Sequence, residues 1–137
     1  VAPGDPRLAR VRHSPCAFQQ FVPKEHDVRA VVIGPRVFAV RIDSQSSRRT
    51  EMDWRRYDNA RVRWERMRLP TGVERSMRRL MRRLDLAWAS FDLIKGRDGA
   101  FYFLEVNRPG ASYWLKPFVN LNVADEIGRY LAARLLG

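Results

Sequence analysis

Two stretches in the first third of the chain carry apolar side chains around a tight turn: Val28-Arg-Ala-Val-Val-Ile33, then Gly34-Pro35, then Arg36-Val-Phe-Ala-Val-Arg-Ile42. β-Branched residues on either side of a Gly-Pro pair predict strand, turn, strand. Upstream, Cys16 to Val22 is a short apolar run closed by Pro23. It predicts a further strand that ends where proline removes a backbone donor. Val62 and Trp64 alternate with arginines and predict a half-buried strand. Beyond Pro70, Val73, Met77, Leu80, Met81 and Leu84 recur at helical intervals, and Thr71-Gly-Val-Glu74 has the spacing of a capping box. A helix from about 72 to 84 follows. Trp88-Ala-Ser-Phe-Asp-Leu-Ile94 and Ala100-Phe-Tyr-Phe-Leu-Glu-Val106 flank a turn at 95–99 and predict a second hairpin. Asn122 is placed to cap a last helix with an apolar stripe of Ala124, Ile127, Leu131 and Leu135, and Asp125 and Glu126 suit its positive end.

The order strands, helix, strands, helix predicts an α+β fold, an antiparallel sheet covered by helices. With 137 residues, one domain spanning 1–137 is expected. Residues 1–15, rich in Pro, Gly and Arg, read as an irregular lead-in. Asp43 to Asn59 is polar and without periodicity, too long for an ordinary turn, and reads as a functional loop.

Composition narrows the classes. At 45% hydrophobic residues the chain can fill a core. It has no apolar run near the roughly 18 residues a membrane span needs, and no secretory signal pattern. A single cysteine, Cys16, and two histidines exclude an internal disulfide and a His/Cys metal cage. A cytoplasmic setting fits. The net charge is +11, and between Arg48 and Arg83 there are 13 arginines against five acids. Such a patch suits nucleic acid, an acidic peptide or a polyphosphate, or is a solvated face. Only Trp54, Tyr57 and Trp64 interleave it, without a nucleic-acid motif, which disfavours nucleic acid.

Polar residues inside the apolar strands stand out. Asp92 lies in Ser-Phe-Asp-Leu-Ile, and Glu105 and Asn107 lie in Phe-Leu-Glu-Val-Asn. Strand alternation puts Glu105 and Asn107 on one face, and pairing across the turn sets Asp92 beside them. Two carboxylates crowded there repel unless a cation neutralises them, and magnesium prefers hard oxygen ligands.

These residues resemble the ATP-grasp family of carboxylate-amine ligases, in its C-terminal nucleotide- and magnesium-binding lobe. Phe18-Gln-Gln-Phe-Val-Pro23 is similar to the family's hinge strand, Asp27-Val-Arg29 with Ala-Val-Val-Ile-Gly34 to its D-x-R strand, and Phe103-Leu-Glu-Val-Asn107 to its metal-binding strand. Phe38-Ala-Val-Arg-Ile-Asp-Ser44, Asp53-Trp-Arg55, Val106-Asn-Arg-Pro-Gly110 and Tyr113-Trp114 resemble the peptide-modifying branch, the graspetide or microviridin-type maturases. The resemblance covers about residues 14 to 135.

The resemblance implies ATP and magnesium as cofactors, with manganese as the alternative ion. It implies that the backbone of Gln20, Phe21 and Val22 holds the adenine edge and that Glu25 or Asp27 reaches the ribose. Arg29 would meet the transferring phosphate and Arg55 the phosphate or acyl intermediate, while Asp92, Glu105 and Asn107 coordinate the metal. It further implies a reaction in which the γ-phosphate is passed to a carboxylate of a precursor peptide, making an acyl phosphate that an amine or hydroxyl attacks. The arginine-rich stretch would attract an acidic peptide. Self-association is compatible with this reading. Two departures bear on substrate preference: Asn107-Arg-Pro-Gly110 stands where the family runs Asn-Pro-Asn-Gly, and Lys116 stands where this branch often has an acid. Nothing corresponds to the upstream lobe whose lysines clamp the phosphates, and Lys24, Lys95 and Lys116 are the chain's only lysines. The chain is therefore expected to be part of an enzyme, inactive or nearly so alone. The other readings are a basic nucleic-acid or acidic-peptide binding module and a degenerate, non-catalytic ATP-grasp lobe.

Overall fold

The Gly34-Pro35 turn joins β1 (Lys24–Ile33) to β2 (Arg36–Ile42), with Ile33 opposite Arg36 and Asp27 opposite Ile42. This computed structural model describes residues 3–16, 18–56, 58, 60–108 and 112–136. β3 (Trp64–Met67), β4 (Trp88–Gly96) and β5 (Phe101–Asn107) complete an antiparallel sheet in the order β3-β2-β1-β4-β5. β1 is central and covered on both faces, so it is buried along nearly its whole length, and from Val28 to Ile33 its sequence is apolar except for Arg29.

Alternation along β1 still sorts its side chains. Val28, Ala30 and Val32 join Phe91 and Leu93 under Met77 and Met81 of α1 (Thr71–Arg83). Val31 and Ile33 point the other way, against Leu115 of α2 (Leu115–Val119), Leu121, and Val123 of α3 (Val123–Leu135). Burying one such aliphatic or aromatic side chain contributes roughly 1.5–3 kcal/mol. The α+β arrangement expected from the sequence is thus present, with helices on both faces of the sheet. Gly34 has a φ of 51°, and a Cβ there would overlap the Tyr130 ring of α3, so the turn requires glycine twice over.

Several local expectations are corrected. Residues 16 and 18–23 form no strand; the chain there is irregular, and Phe18 and Phe21 lie exposed. A strand needs a neighbour to satisfy its backbone groups, and the sheet begins only at Lys24. Ala17 lies outside the described residues. Thr71 is the first helical residue of α1, not its cap; Pro70 occupies the cap position and its carbonyl accepts from Val73 and Glu74. The capping box therefore does not form. Asn122 does cap α3, accepting from the Asp125 N–H at 3.5 Å. Its inward face is Val123, Ile127 and Tyr130, whereas Ala124, Leu131 and Leu135 of the expected stripe are exposed. The long polar loop contains two single 3-10 turns, Ser44–Ser46 and Trp54–Arg56; Tyr57 and Asn59 lie outside the described residues.

Part of the arginine surplus is structural. Arg66 donates to the Val119 and Asn120 carbonyls at the end of α2, and Arg78 donates to the Gly34 and Pro35 carbonyls. Both neutralise helix or turn ends whose carbonyls would otherwise lack donors. Among the described residues no helix is long and apolar enough to cross a membrane.

Candidate functional site

On the sheet face turned away from α1, charged side chains replace apolar ones toward one end of β1. Asp27 and Arg29 continue the row of Val31 and Ile33, and on β4 Asp92 lies directly opposite Arg29. Arg29 Nη1 donates to Asp92 Oδ1 at 2.8 Å, and Arg29 Nε donates to Ser112 Oγ at 3.2 Å. Ser112 Oγ shares a 2.8 Å hydrogen bond with Ser90 Oγ, and both serines are fully buried. The guanidinium is thus held between a carboxylate and a hydroxyl.

β5 completes the acidic wall through an irregularity. Asp92 pairs with Glu105 but its neighbour Leu93 pairs with Phe103, leaving Leu104 as an extra residue. A bulge bends the strand and re-aims side chains. Here it lets Phe101 and Phe103 line the apolar groove beneath α1 while Glu105 turns to Asp92 on the opposite face. Asn107 Nδ2 donates to Glu105 Oε1 at 3.0 Å. Burial pushes the Asp92 carboxyl up, the Arg29 charge pulls it back, and a hydrogen bond shared with Glu105 adds to the rise. Glu105 lies below its ordinary range, held there first by Asn107 and then by Asp92. Opposite shifts in two neighbouring carboxyls are what mutual repulsion of crowded acids produces.

A second irregularity shapes the start of β1. Lys24 pairs with Gly96 and His26 with Lys95, so Glu25 is skipped. Lys24 Nζ lies 2.6 Å from Asp27 Oδ2, which also accepts from Ser44 Oγ at 2.5 Å. Lys24, Asp27 and Ser44 are all buried.

The long loop closes over these groups. Trp54 is anchored in an aromatic cluster, 5.7 Å from Trp64 and 4.9 Å from Trp114 between ring centroids. This fixes the short turn that carries Arg55. Arg55 Nε donates to Asp53 Oδ1 at 2.9 Å, and its Nη1 stands 3.7 Å from Glu105 Oε1. Asp53, by its bonds to Arg55, lies below the ordinary carboxylate range although burial opposes this.

The structure brings most of the expected site residues together. Asp27, Arg55, Asp92 and Glu105 line one cavity of about 230 Å³, with Lys24 and Asp53. Arg29 braces its Asp92 wall, and Asn107 is bonded to Glu105. Gln20, Phe21, Val22 and Glu25 are not among the lining residues; Gln19 is. Glu25 and Phe21 are exposed. Pro109 and Gly110 of the expected Asn-Arg-Pro-Gly turn lie outside the described residues. Among the described residues no three His, Cys, Asp or Glu side chains cluster to hold a metal. The donor set available is two carboxyls and an amide, all hard oxygen donors of the kind magnesium takes with one or two carboxylates and substrate phosphates. Lys24 and Ser112 were not legible in the sequence, because nothing in the residue order reveals the skipped Glu25 or the contact of Ser112 with Arg29.

Comparison with known proteins decides what this arrangement is similar to. No family model matches the chain, and no curated protein matches it. Solved structures do. A RiPP-associated ATP-grasp ligase of Chryseobacterium gregarium, in complex with ADP and a leader and core peptide, superposes with a TM-score of 0.82 at 27% identity. The fold is that of an ATP-grasp lobe. The match covers 94% of this chain and 39% of that one. The macrocyclase MdnC of Microcystis aeruginosa MRC, bound with precursor peptide MdnA, matches the ATP-grasp lobe with a TM-score of 0.73 at 26% identity, over 93% of this chain and 39% of that one. PsnB, complexed with a phosphomimetic variant of its minimal precursor, Mg and ADP, shares the fold with a TM-score of 0.73 at 23% identity, over 94% of this chain and 38% of that one. The resemblance of this ATP-grasp lobe to peptide-modifying ligases, read from its motifs, therefore holds in three dimensions. The chain spans about two-fifths of the length of these ligases.

Proposed function

We propose that this chain is the ATP- and magnesium-binding part of a ligase that activates a carboxylate of a precursor peptide and joins it to an amine or hydroxyl. The observation that carries the reading is the Asp92–Glu105 carboxyl pair, backed by Arg29 and Asn107, inside a lobe similar to a ligase solved with ADP and its peptide. In this reading Asp92, Glu105 and Asn107 hold magnesium, or manganese in its place. The ion supplies charge neutralisation along the phosphate chain. The backbone of Gln20, Phe21 and Val22 meets the adenine edge and Glu25 or Asp27 the ribose.

The chemistry follows from the poor electrophilicity of a carboxylate. Its oxygen attacks the γ-phosphorus of ATP; the new O–P bond forms as the bridging P–O bond breaks and ADP departs with the electron pair. The amine or hydroxyl then attacks the carbonyl carbon, the C–O bond to phosphate breaks, and the nucleophile's proton passes to solvent. Arg29, fixed by Asp92 and Ser112, offers a charge already oriented where the transferring phosphate becomes more negative, so no reorganisation is spent at that moment. Arg55, on a turn pinned by Trp54, plays the same part on the loop side. An acidic peptide in the cytoplasm is the partner that the arginine-rich surface attracts.

The test uses the complete gene product with ATP, magnesium and the short peptide encoded nearest its gene. Mass spectrometry should find the peptide lighter by one water for each bond formed, and Arg29→Lys should suppress this. A peptide unchanged in mass under all conditions, with DNA retained instead in a salt-dependent manner, would favour the basic binding module.

A further inference from the structure

In a regular strand, residues three apart face opposite sides of the sheet, so Lys24 and Asp27 should not meet. They do meet, at 2.6 Å, because β1 skips Glu25 in its pairing with β4. The skip leaves Glu25 exposed and rotates Lys24 from the α1 side, where His26 and Val28 belong by alternation, to the charged face. Both irregularities of the sheet act alike: the one at Leu104 brings Glu105 to the cavity, and the one at Glu25 brings Lys24.

Neutralising Asp27 alone does not account for this lysine. Asp27 already accepts from Ser44, and a neutral donor on β1 would satisfy the same oxygen. What the bulge adds is an ammonium group in the lining of a cavity that four carboxylates, Asp27, Asp53, Asp92 and Glu105, also line. Once a divalent cation takes up Asp92 and Glu105, an anion brought in with it needs a second positive pole across the cavity. A lysine suits that task as a compact point charge with three rotatable donors on a flexible stem. Arg29, held in place by Asp92 and Ser112, meets only the phosphate brought to it, whereas a lysine stem can follow the phosphate chain.

We propose that Lys24 is a phosphate-binding residue of this site, aimed into the cavity by the bulge at Glu25 and parked on Asp27 until a nucleotide's phosphate chain takes it over. This deepens the ligase reading and rests on it.

The experiment measures binding of magnesium-ADP, magnesium-pyrophosphate and adenosine to the complete gene product by calorimetry, in the wild type, Lys24→Met and the double variant Lys24→Met/Asp27→Asn. Thermal unfolding without ligand checks that each variant is folded. The double variant removes both charges with little change of shape, so it reports even if Lys24→Met alone does not fold. Expected in Lys24→Met is a loss of about tenfold or more for both phosphate ligands with adenosine unchanged, and in the double variant the same loss for magnesium-pyrophosphate, which has no ribose to meet Asp27. Recovery of wild-type affinity for magnesium-pyrophosphate in the double variant would mean that Lys24 only balances Asp27, and would overturn the proposal. Unchanged binding in Lys24→Met would also overturn it while leaving the ligase reading intact. Failure of the wild type to bind magnesium-ADP would remove the ligase reading itself, and the Lys24 assignment with it.

Discussion

Arg29 and Asp92 face each other across β1 and β4, residue opposite residue, and close a 2.8 Å ion pair whose side chains are only 5% and 8% exposed. Such a pair is costly to break from one side, because the charge left behind is buried without its counter-charge. Arg29→Met should therefore destabilise by about 3–5 kcal/mol, measured by urea unfolding. Arg29→Met/Asp92→Leu should recover most of that loss. Equal destabilisation in single and double variants would show that the site tolerates the lone carboxylate.

His26 carries a different pH signature. Its side chain is buried, and both ring nitrogens lack hydrogen-bond partners. Burial first, and then the charge of Arg41, lowers its pKa from the ordinary 6.5, against the opposite pull of Glu25, Asp27 and Asp43. With the folded pKa below the unfolded one, the unfolded chain binds the extra proton. The stabilisation is therefore complete above 6.5 and is lost as pH falls below it. Unfolding midpoints between pH 7.5 and pH 5, taken as about one unit above and 1.5 below that value, should fall in the wild type more than in His26→Leu. Parallel curves for the two proteins would remove His26 from the acid response.

Deleting Leu104 poses a conflict between the two sheet faces. Without the extra residue, either Phe101 and Phe103 leave the groove under α1 or Glu105 and Asn107 leave Asp92. The deletion should lower the unfolding midpoint and weaken magnesium-dependent nucleotide binding together. A deletion variant that retained both would show that β5 absorbs the change elsewhere.

Trp54 should behave as a positioning residue for Arg55. It packs at 4.9 Å from Trp114 and 5.7 Å from Trp64, and the turn it begins carries Arg55. Trp54→Ala should cost about 3–5 kcal/mol by urea unfolding, and Trp54→Phe much less. At temperatures where Trp54→Phe is folded, its nucleotide affinity should stay near wild type. A stable Trp54→Ala would mean the loop is held by other contacts.

The sheet was legible in the sequence where pattern alone decides it. Val28 to Ile42 spells a hairpin, and Met77 with Met81 spells the buried side of α1. Alternation alone puts Glu105 and Asn107 on one face, but their meeting with Asp92 depends on the extra residue Leu104. What depends on departures from alternation was not legible. Lys24 belongs to the site only because Glu25 is skipped, and Glu25, one of the two residues expected at the ribose with Asp27, is exposed for the same reason. The run from Cys16 to Val22 reads as a strand by composition, yet it has no neighbouring strand in the described structure, and partners lie outside what a local pattern encodes. Leu131 and Leu135 keep helical spacing, but only the side chains over the sheet, Val123, Ile127 and Tyr130, find something to pack against.

The central claim, that Asp92 and Glu105 hold a divalent cation for a nucleotide, is tested most directly by the affinity of the complete gene product for ADP with and without magnesium, in the wild type and in Glu105→Gln. The account predicts that magnesium tightens ADP binding in the wild type and that Glu105→Gln loses this increment while retaining its fold. Magnesium-independent binding of equal strength in both proteins would contradict it.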